Sequence, residues 1–198
     1  MTYRIAFAGA SGTGKTTLAR YVADRLTLPL APSAARAAAA EMGLDSPYDA
    51  DALGIRHALQ QRIVHKRLVW QQEHADGFVS DRSSFDDLAY TLTHCGEPLY
   101  AECLTPVFNQ DQILQPTYTT IVFCPMSSFF SLGSDPARNP DVSYHHEFER
   151  LLLDLLDKAR VNVDLSLIRV PAEQRHEWAA AFVDKLGSRR WNSEVLRG

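Results

Sequence analysis

Eight residues near the start of the chain combine types and spacing that suit one task. Gly9-Ala10-Ser11-Gly12-Thr13-Gly14-Lys15-Thr16 fits G-x-x-x-x-G-K-[ST]. Glycines at these positions let the backbone curl until successive N–H groups point inward at phosphate oxygens, and a helix opening near Lys15 adds its positive dipole end. Lys15 would then reach β- and γ-phosphates, Thr16 would offer its hydroxyl to Mg²⁺, and Thr17 would contact an α-phosphate. A second pair, Asp81-Arg82, joins a carboxylate, suited to hold Mg²⁺ through water, to a planar fork of donors able to bridge phosphate oxygens. Motor ATPases place apolar residues before Asp-Glu at the corresponding point, so Asp-Arg points toward phosphoryl transfer. The plainer alternative is a pair that merely caps a helix.

These residues need particular elements around them. Tyr3 to Ala8 is an apolar run that enters the Gly-rich turn, and Leu18, Val22 and Leu26 give Lys15 to Leu26 a helical period. The loop therefore sits between a strand and a helix, as its mechanism requires. Leu28 to Ala31 reads as a short strand, and Ser33 to Met42 as an Ala-rich helix stopped by Gly43. The stripe Ile55, Leu59, Ile63 and Trp70 predicts one long helix over 50–75. Phe78 to Ser80 reads as the end of a buried strand that delivers Asp81 to the crevice where open parallel sheets bind ligands. A helix follows through Tyr90, capped reciprocally by Ser84 and Asp87, and another is expected from Pro98 to Leu114. Thr119 to Cys124 is a central strand by β-propensity, Ser127 to Ser143 a loop by composition, and Tyr144 to Arg160 a helix. Leu167 to Val170 and Ala172 to Leu186 are expected as the last strand and helix. Strands alternating with helices imply an α/β fold whose parallel sheet is covered on both faces.

The 198 residues suffice for one domain with a sizeable core, and we expect a single domain over 1–198. Hydrophobic residues at 45% and charged residues at 22% disfavour a disordered or fibrous chain. The net charge of −4 supplies no overall field toward nucleic acid or anionic lipid, although a local basic cleft could still receive nucleic acid. Arg56 and Arg67 border one side of the long helix's apolar stripe, Arg62 and Lys66 the other. Either they face a polyanion or they are charges snorkelling from a half-buried face. Three cysteines, Cys95, Cys103 and Cys124, show no C-x-x-C spacing, which disfavours a disulfide framework and a thiolate metal site. No run approaches about 18 apolar residues and the N-terminus lacks a leader pattern, so a cytoplasmic protein with no membrane span is expected. The scattered histidines lack zinc-site spacing. Oligomeric state has no sequence signal here beyond compatibility with a homodimer.

Gly9 to Thr17 and Asp81-Arg82-Ser83 resemble the nucleoside and nucleotide kinase-like P-loop proteins, among them thymidylate kinases, deoxynucleoside kinases and nicotinamide-riboside-kinase-like ATPases. The segments SAAR ending at Arg36, DRSSFDDLAY at Asp81 to Tyr90, and DPAR ending at Arg138 look nearest to the last set. The resemblance implies a three-layer α/β/α fold with a five-stranded parallel sheet, ATP and Mg²⁺ as cofactors, and a mobile lid at about 127–143. It further implies that Arg82 contacts the acceptor and the transferring phosphoryl group, that Arg138 swings in from the lid, and that Arg36 lies at the acceptor side. One departure stands out. Sugar-hydroxyl kinases of this group carry a Glu base at the end of the second strand, where this chain has Pro32-Ser33. Either Asp81 takes the proton, with Glu41 a weaker substitute, or the acceptor is an anionic phosphate that needs no base.

The implied activity is transfer of a γ-phosphoryl group to a nucleoside, nucleotide or related hydroxyl. A narrower version takes hydroxymethyluracil in phage DNA as acceptor, because enzymes of that kind resemble the same group. A different class is a regulatory ATPase or switch without an acceptor, and a third is a module that binds nucleotide without turnover. The absence of N-K-x-D and T-K-x-D disfavours a Ras-like GTPase.

Overall fold

The computed structural model describes residues 2–107, 118–127, 129–133, 139–158 and 161–195. Strands β1 (Arg4–Ala8), β2 (Leu30–Ala31), β3 (Phe78–Asp81), β4 (Thr120–Phe123) and β5 (Val163–Asp164) form one sheet in the order β2-β3-β1-β4-β5. Every pair is parallel, with Ile5 opposite Val79 on one side and Thr120 on the other. The helices are α1 (Lys15–Leu26), α2 (Ala34–Glu41), α3 (Asp49–Ala52), α4 (Arg56–Glu73), α5 (Ser84–Val107), α6 (Val142–Asp157) and α7 (Arg175–Val195). This is the three-layer α/β/α arrangement expected from the alternation of elements.

A strand's side chains alternate between faces, and central parallel strands must be apolar on both. Accordingly Ile5 and Phe7 join Leu18 and Val22 of α1 and Phe182 of α7 on one side. Ala6 and Ala8 join Phe123 of β4 and Phe148 and Leu152 of α6 on the other. Phe7, Phe78, Phe123 and Phe148 are fully buried, each contributing about 1.5–3 kcal/mol. The three small residues of β1 and its turn, Ala6, Ala8 and Ala10, keep the second face shallow where the loop begins. A third cluster packs the Ala-rich α2 on α4 through Ala34, Ala38, Leu59 and Ile63. Among the described residues no helix is long and apolar enough to cross a membrane.

Several expected boundaries shift for local reasons. The single helix over 50–75 is two: α3 ends at Ala52, and Gly54, at φ +65°, turns the chain so that Ile55 N–H reaches the carbonyl of Ala50. The cap expected from Ser84 and Asp87 falls one residue earlier. Asp86 N–H donates to Ser83 Oγ at 3.3 Å, and Ser83 N–H donates to Asp86 Oδ2 at 2.8 Å. The helix that starts there continues to Val107, so the separate helix from Pro98 merges with it, and 108–117 lie outside the described residues. The last strand is Val163–Asp164 rather than Leu167 to Val170. Asp164 Oδ1 accepts the Ser166 N–H at 2.9 Å, an Asx turn that starts a 3₁₀ turn at Ser166–Arg169, where only Leu167 is buried and Ile168 is 45% exposed. Helix α6 begins at Val142 under an Asp141 cap, so the loop before it ends earlier than Ser143.

Candidate active site

The Gly-rich segment leaves β1 beneath the end of β4. A Cβ at Gly9, where φ is +147°, would stand 2.3 Å from the carbonyl oxygen of Cys124, and one at Gly12, where φ is +84°, 2.6 Å from that of Ser131. Both positions therefore demand glycine. Ala10 is buried, and its carbonyl accepts Thr13 Oγ–H at 2.9 Å and the Lys15 ammonium. Lys15 Nζ also donates to Thr13 Oγ1 at 3.2 Å, so the cation is folded into the curl of its own loop. Burial, with Arg82 nearby, lowers this ammonium from its usual 10.5 to about 8. A cation in this state is one that phosphate oxygens would stabilise.

Thr16, at the first turn of α1, donates its hydroxyl to Asp81 Oδ2 at 2.5 Å, joining the loop to the end of β3 across the crevice. Thr17 is exposed on the same turn. Arg82 follows Asp81 with φ at +98°, a conformation unusual for a residue with a side chain. Its carbonyl accepts from Ser80 Oγ at 2.6 Å and from Arg67 Nη1 at 3.1 Å. Its guanidinium donates to Ser11 Oγ at 3.0 Å and Gly9 O at 3.4 Å and lies 4.8 Å from the Tyr90 ring centre. Lys15, Thr16, Asp81 and Arg82, separated by up to 67 positions in the chain, thus meet at one edge of the sheet.

Other expected site residues fare differently. Arg36 is exposed on α2, where its backbone N–H caps to Ser33 Oγ at 3.4 Å. Arg138, with the rest of 134–138, lies outside the described residues. Within the lid segment, Ser131 N–H donates to Gly12 O at 2.9 Å, so its described part rests on the phosphate loop. Glu41 is paired with Lys66 and stands 4.0 Å from Arg62. Arg56 is paired with Asp51, and Arg67 is buried against Asp87. The four cations expected to border α4 therefore all have carboxylates against them, and three of them, Arg62, Lys66 and Arg67, line one cavity. A cavity of about 520 Å³ lies along the sheet edge between α2 and α4, lined by Ala34, Ala37, Lys66 and Trp70 among others, and not at the loop.

Three contributors escaped the sequence. Asp86, fully buried, accepts the Gly9 N–H at 3.0 Å, so this amide does not join the inward-pointing set expected of the loop. The visible signal was its place in DRSSFDDLAY, assigned one residue off. Arg175, at the start of α7, donates to Thr13 O at 2.6 Å and lies 5.6 Å from the Phe129 ring centre; at 162 positions away it has no local signature. The Arg67–Asp87 pair links α4 to α5 beneath Arg82. Burial pushes the Asp87 carboxyl up while Arg67 acts against it.

A hydroxyl and a carboxylate oxygen side by side are hard ligands of the kind Mg²⁺ takes, usually one or two from protein with water and phosphate completing the shell. Thr16 and Asp81 fit that set.

A family model described as an AAA domain matches residues 4–175. No curated protein matches the chain. Among solved structures, NadR in complex with NR superposes with a TM-score of 0.59 at 17% identity, covering 79% of this chain and 41% of that one. Deoxyadenosine kinase from M. mycoides with bound dATP gives 0.62 at 14% identity, covering 93% and 99%. The chain thus spans about two fifths of the NadR length. At these identities the likeness shows the fold, which is that of P-loop kinase structures.

Proposed function

We propose a function from one premise: the chain belongs to the AAA-domain family matched over residues 4–175. It binds ATP in the Gly9–Thr17 loop and transfers the γ-phosphoryl group to a nucleoside, nucleotide or related hydroxyl. The observation that carries this reading is the meeting of Thr16 with Asp81 at 2.5 Å, beside Lys15 and the Arg82 guanidinium. A motor or switch needs a loop and a water-positioning group. A guanidinium turned onto the loop from the end of the adjacent strand β3 suits bridging two phosphate-bearing partners.

In the proposed reaction the acceptor oxygen attacks the γ-phosphorus, the bond from that phosphorus to the β–γ bridging oxygen breaks, and ADP leaves. Lys15 exchanges its hold on Ala10 O and Thr13 Oγ1 for phosphate oxygens. Arg82 spans the transferring group and the acceptor. Thr16 and Asp81 would hold Mg²⁺, which when bound neutralises phosphate charge. Asp81 directs Oδ2 at Thr16, which leaves Oδ1 to take the proton of a hydroxyl acceptor. A phosphate acceptor gives up no proton, consistent with Pro32-Ser33 at the end of β2.

The test is a panel of nucleosides, nucleotides and hydroxymethyluracil-containing DNA offered with γ-labelled ATP. Label on an acceptor supports the proposal; phosphate release independent of any acceptor supports a regulatory ATPase instead. With the accepted substrate, Asp81→Asn is expected to lose at least about 100-fold in turnover, the scale of a missing proton acceptor. Full activity in that variant would remove Asp81 from the chemistry.

A further inference from the structure

Asp86 and Asp87 are adjacent, both buried, and aimed at different partners. Asp87 takes Arg67, with Nη2 to Oδ1 at 3.1 Å, and Arg67 in turn donates to the Arg82 carbonyl. Asp86 faces the loop. Its Oδ1 accepts the Gly9 N–H at 3.0 Å and stands 3.5 Å from Arg82 Nη1; its Oδ2 accepts Ser83 N–H at 2.8 Å and Ser83 Oγ–H at 2.7 Å. One carboxylate therefore touches the first residue of the phosphate loop, the guanidinium of the arm that faces it, and the cap of α5.

We propose that Asp86 is a positioning residue that ties the phosphate loop to Arg82, so that loop and arm meet a nucleotide as one preset unit. The inference rests on the kinase reading above for its effect on turnover, though not for the tether itself. The physical reasons are three. A buried carboxylate accepting backbone and guanidinium donors forms charge-assisted bonds, stronger than neutral ones and fixed in direction. The Gly9 amide is used for this tether, which is why it is withdrawn from the phosphate cradle. Arg82 has a strained backbone, a geometry that persists only where surroundings over-determine it. Here they do so from both ends, the carbonyl by Arg67 and Ser80, the side chain by Asp86, Gly9 and Ser11. Preset donors add to rate because they need not reorganise as charge moves.

The experiment is a double-mutant cycle of Asp86→Asn and Arg82→Ala in the full chain. Two readouts are used: label transferred from γ-labelled MgATP to the accepted substrate, and hydrogen exchange at the Gly9 amide without nucleotide. Asp86→Asn keeps the shape and removes the charge. It is expected to speed Gly9 exchange about tenfold and to slow phosphoryl transfer about tenfold when Arg82 is present, with little further loss when it is absent, the non-additivity of coupled residues. Equal losses in both backgrounds would show that Asp86 acts through general stability and overturn the proposal, as would unchanged Gly9 exchange. If Asp86→Asn does not fold, Asp86→Glu, which retains the charge but shifts it by a methylene, carries the same cycle with the same criteria. Wild-type protein that transfers label to no acceptor of the panel would defeat the kinase reading, while Gly9 exchange would still decide the tether.

Discussion

At the phosphate end of the crevice, Asp86, Asp87 and Arg67 are buried, with their charged groups bonded to neighbours, and glycines admit the backbone where a Cβ would collide. At the α2–α4 end, the ion pair Lys66–Glu41 has a half-exposed carboxylate, the helix contact is made largely by alanines, and a cavity of about 520 Å³ stays open. The first region is set before any ligand arrives, and altering one group there strands its partners in low dielectric. The second is shaped by small side chains and solvated charges and tolerates change.

Removing a partner from each kind of ion pair breaks or sharpens that contrast. Asp87→Asn leaves Arg67 buried without its counter-charge and is expected to cost about 3–5 kcal/mol of stability, read by denaturant unfolding. A loss below about 1 kcal/mol would mean that the phosphate end is no more preset than the other. Lys15→Ala removes a buried cation that costs stability at neutral pH, so it should not destabilise the fold, yet it should lower turnover by about 10²–10³-fold, the worth of one lost charge-stabilising donor; labelled-phosphate transfer measures it.

Next in size is a pH effect. Folding lowers Lys15 from 10.5 to about 8. Burying the charged form therefore costs stability below about pH 8, and this cost fades as pH rises toward 10.5, because the unfolded chain then binds the extra proton. Nucleotide affinity moves the other way, since the uncharged amine no longer attracts phosphate. Titrations at pH 7 and pH 9 should differ by about tenfold in Kd, with proton uptake on binding near pH 8. The smallest effect is expected at the far end. Glu41→Gln, which breaks a half-exposed pair, should change stability by less than about 1 kcal/mol and leave transfer intact; a large loss of transfer would restore Glu41 as a base.

How legible each region was in the sequence follows the same contrast. The strand, loop and first helix depend on local spacing, and the Gly9–Thr16 pattern carries it directly. Asp81 and Arg82 were readable because a short apolar run ends at them. Asp86 was passed over in favour of Asp87 because a cap shifted by one residue exchanges which of two adjacent carboxylates caps the helix. Arg67 looked like a border charge because helical period shows where a side chain points, not that Asp87 waits there on α5. Arg175 arrives from a helix far along the chain. The edge strand β5 was misplaced because two residues pairing with Ile121 and Val122 suffice, and such a short pairing has no periodicity to detect. Gly54 in the left-handed region split a helix whose apolar stripe crossed the break unaltered.

The account stands on a loop already curled to receive phosphate. Calorimetric titration of the wild-type chain and Lys15→Ala with MgATP at pH 7 tests it most directly. Saturable binding at one site in the wild type, weakened at least about tenfold in the variant, is the predicted result. No binding by the wild type, or equal affinity in both proteins, would contradict it.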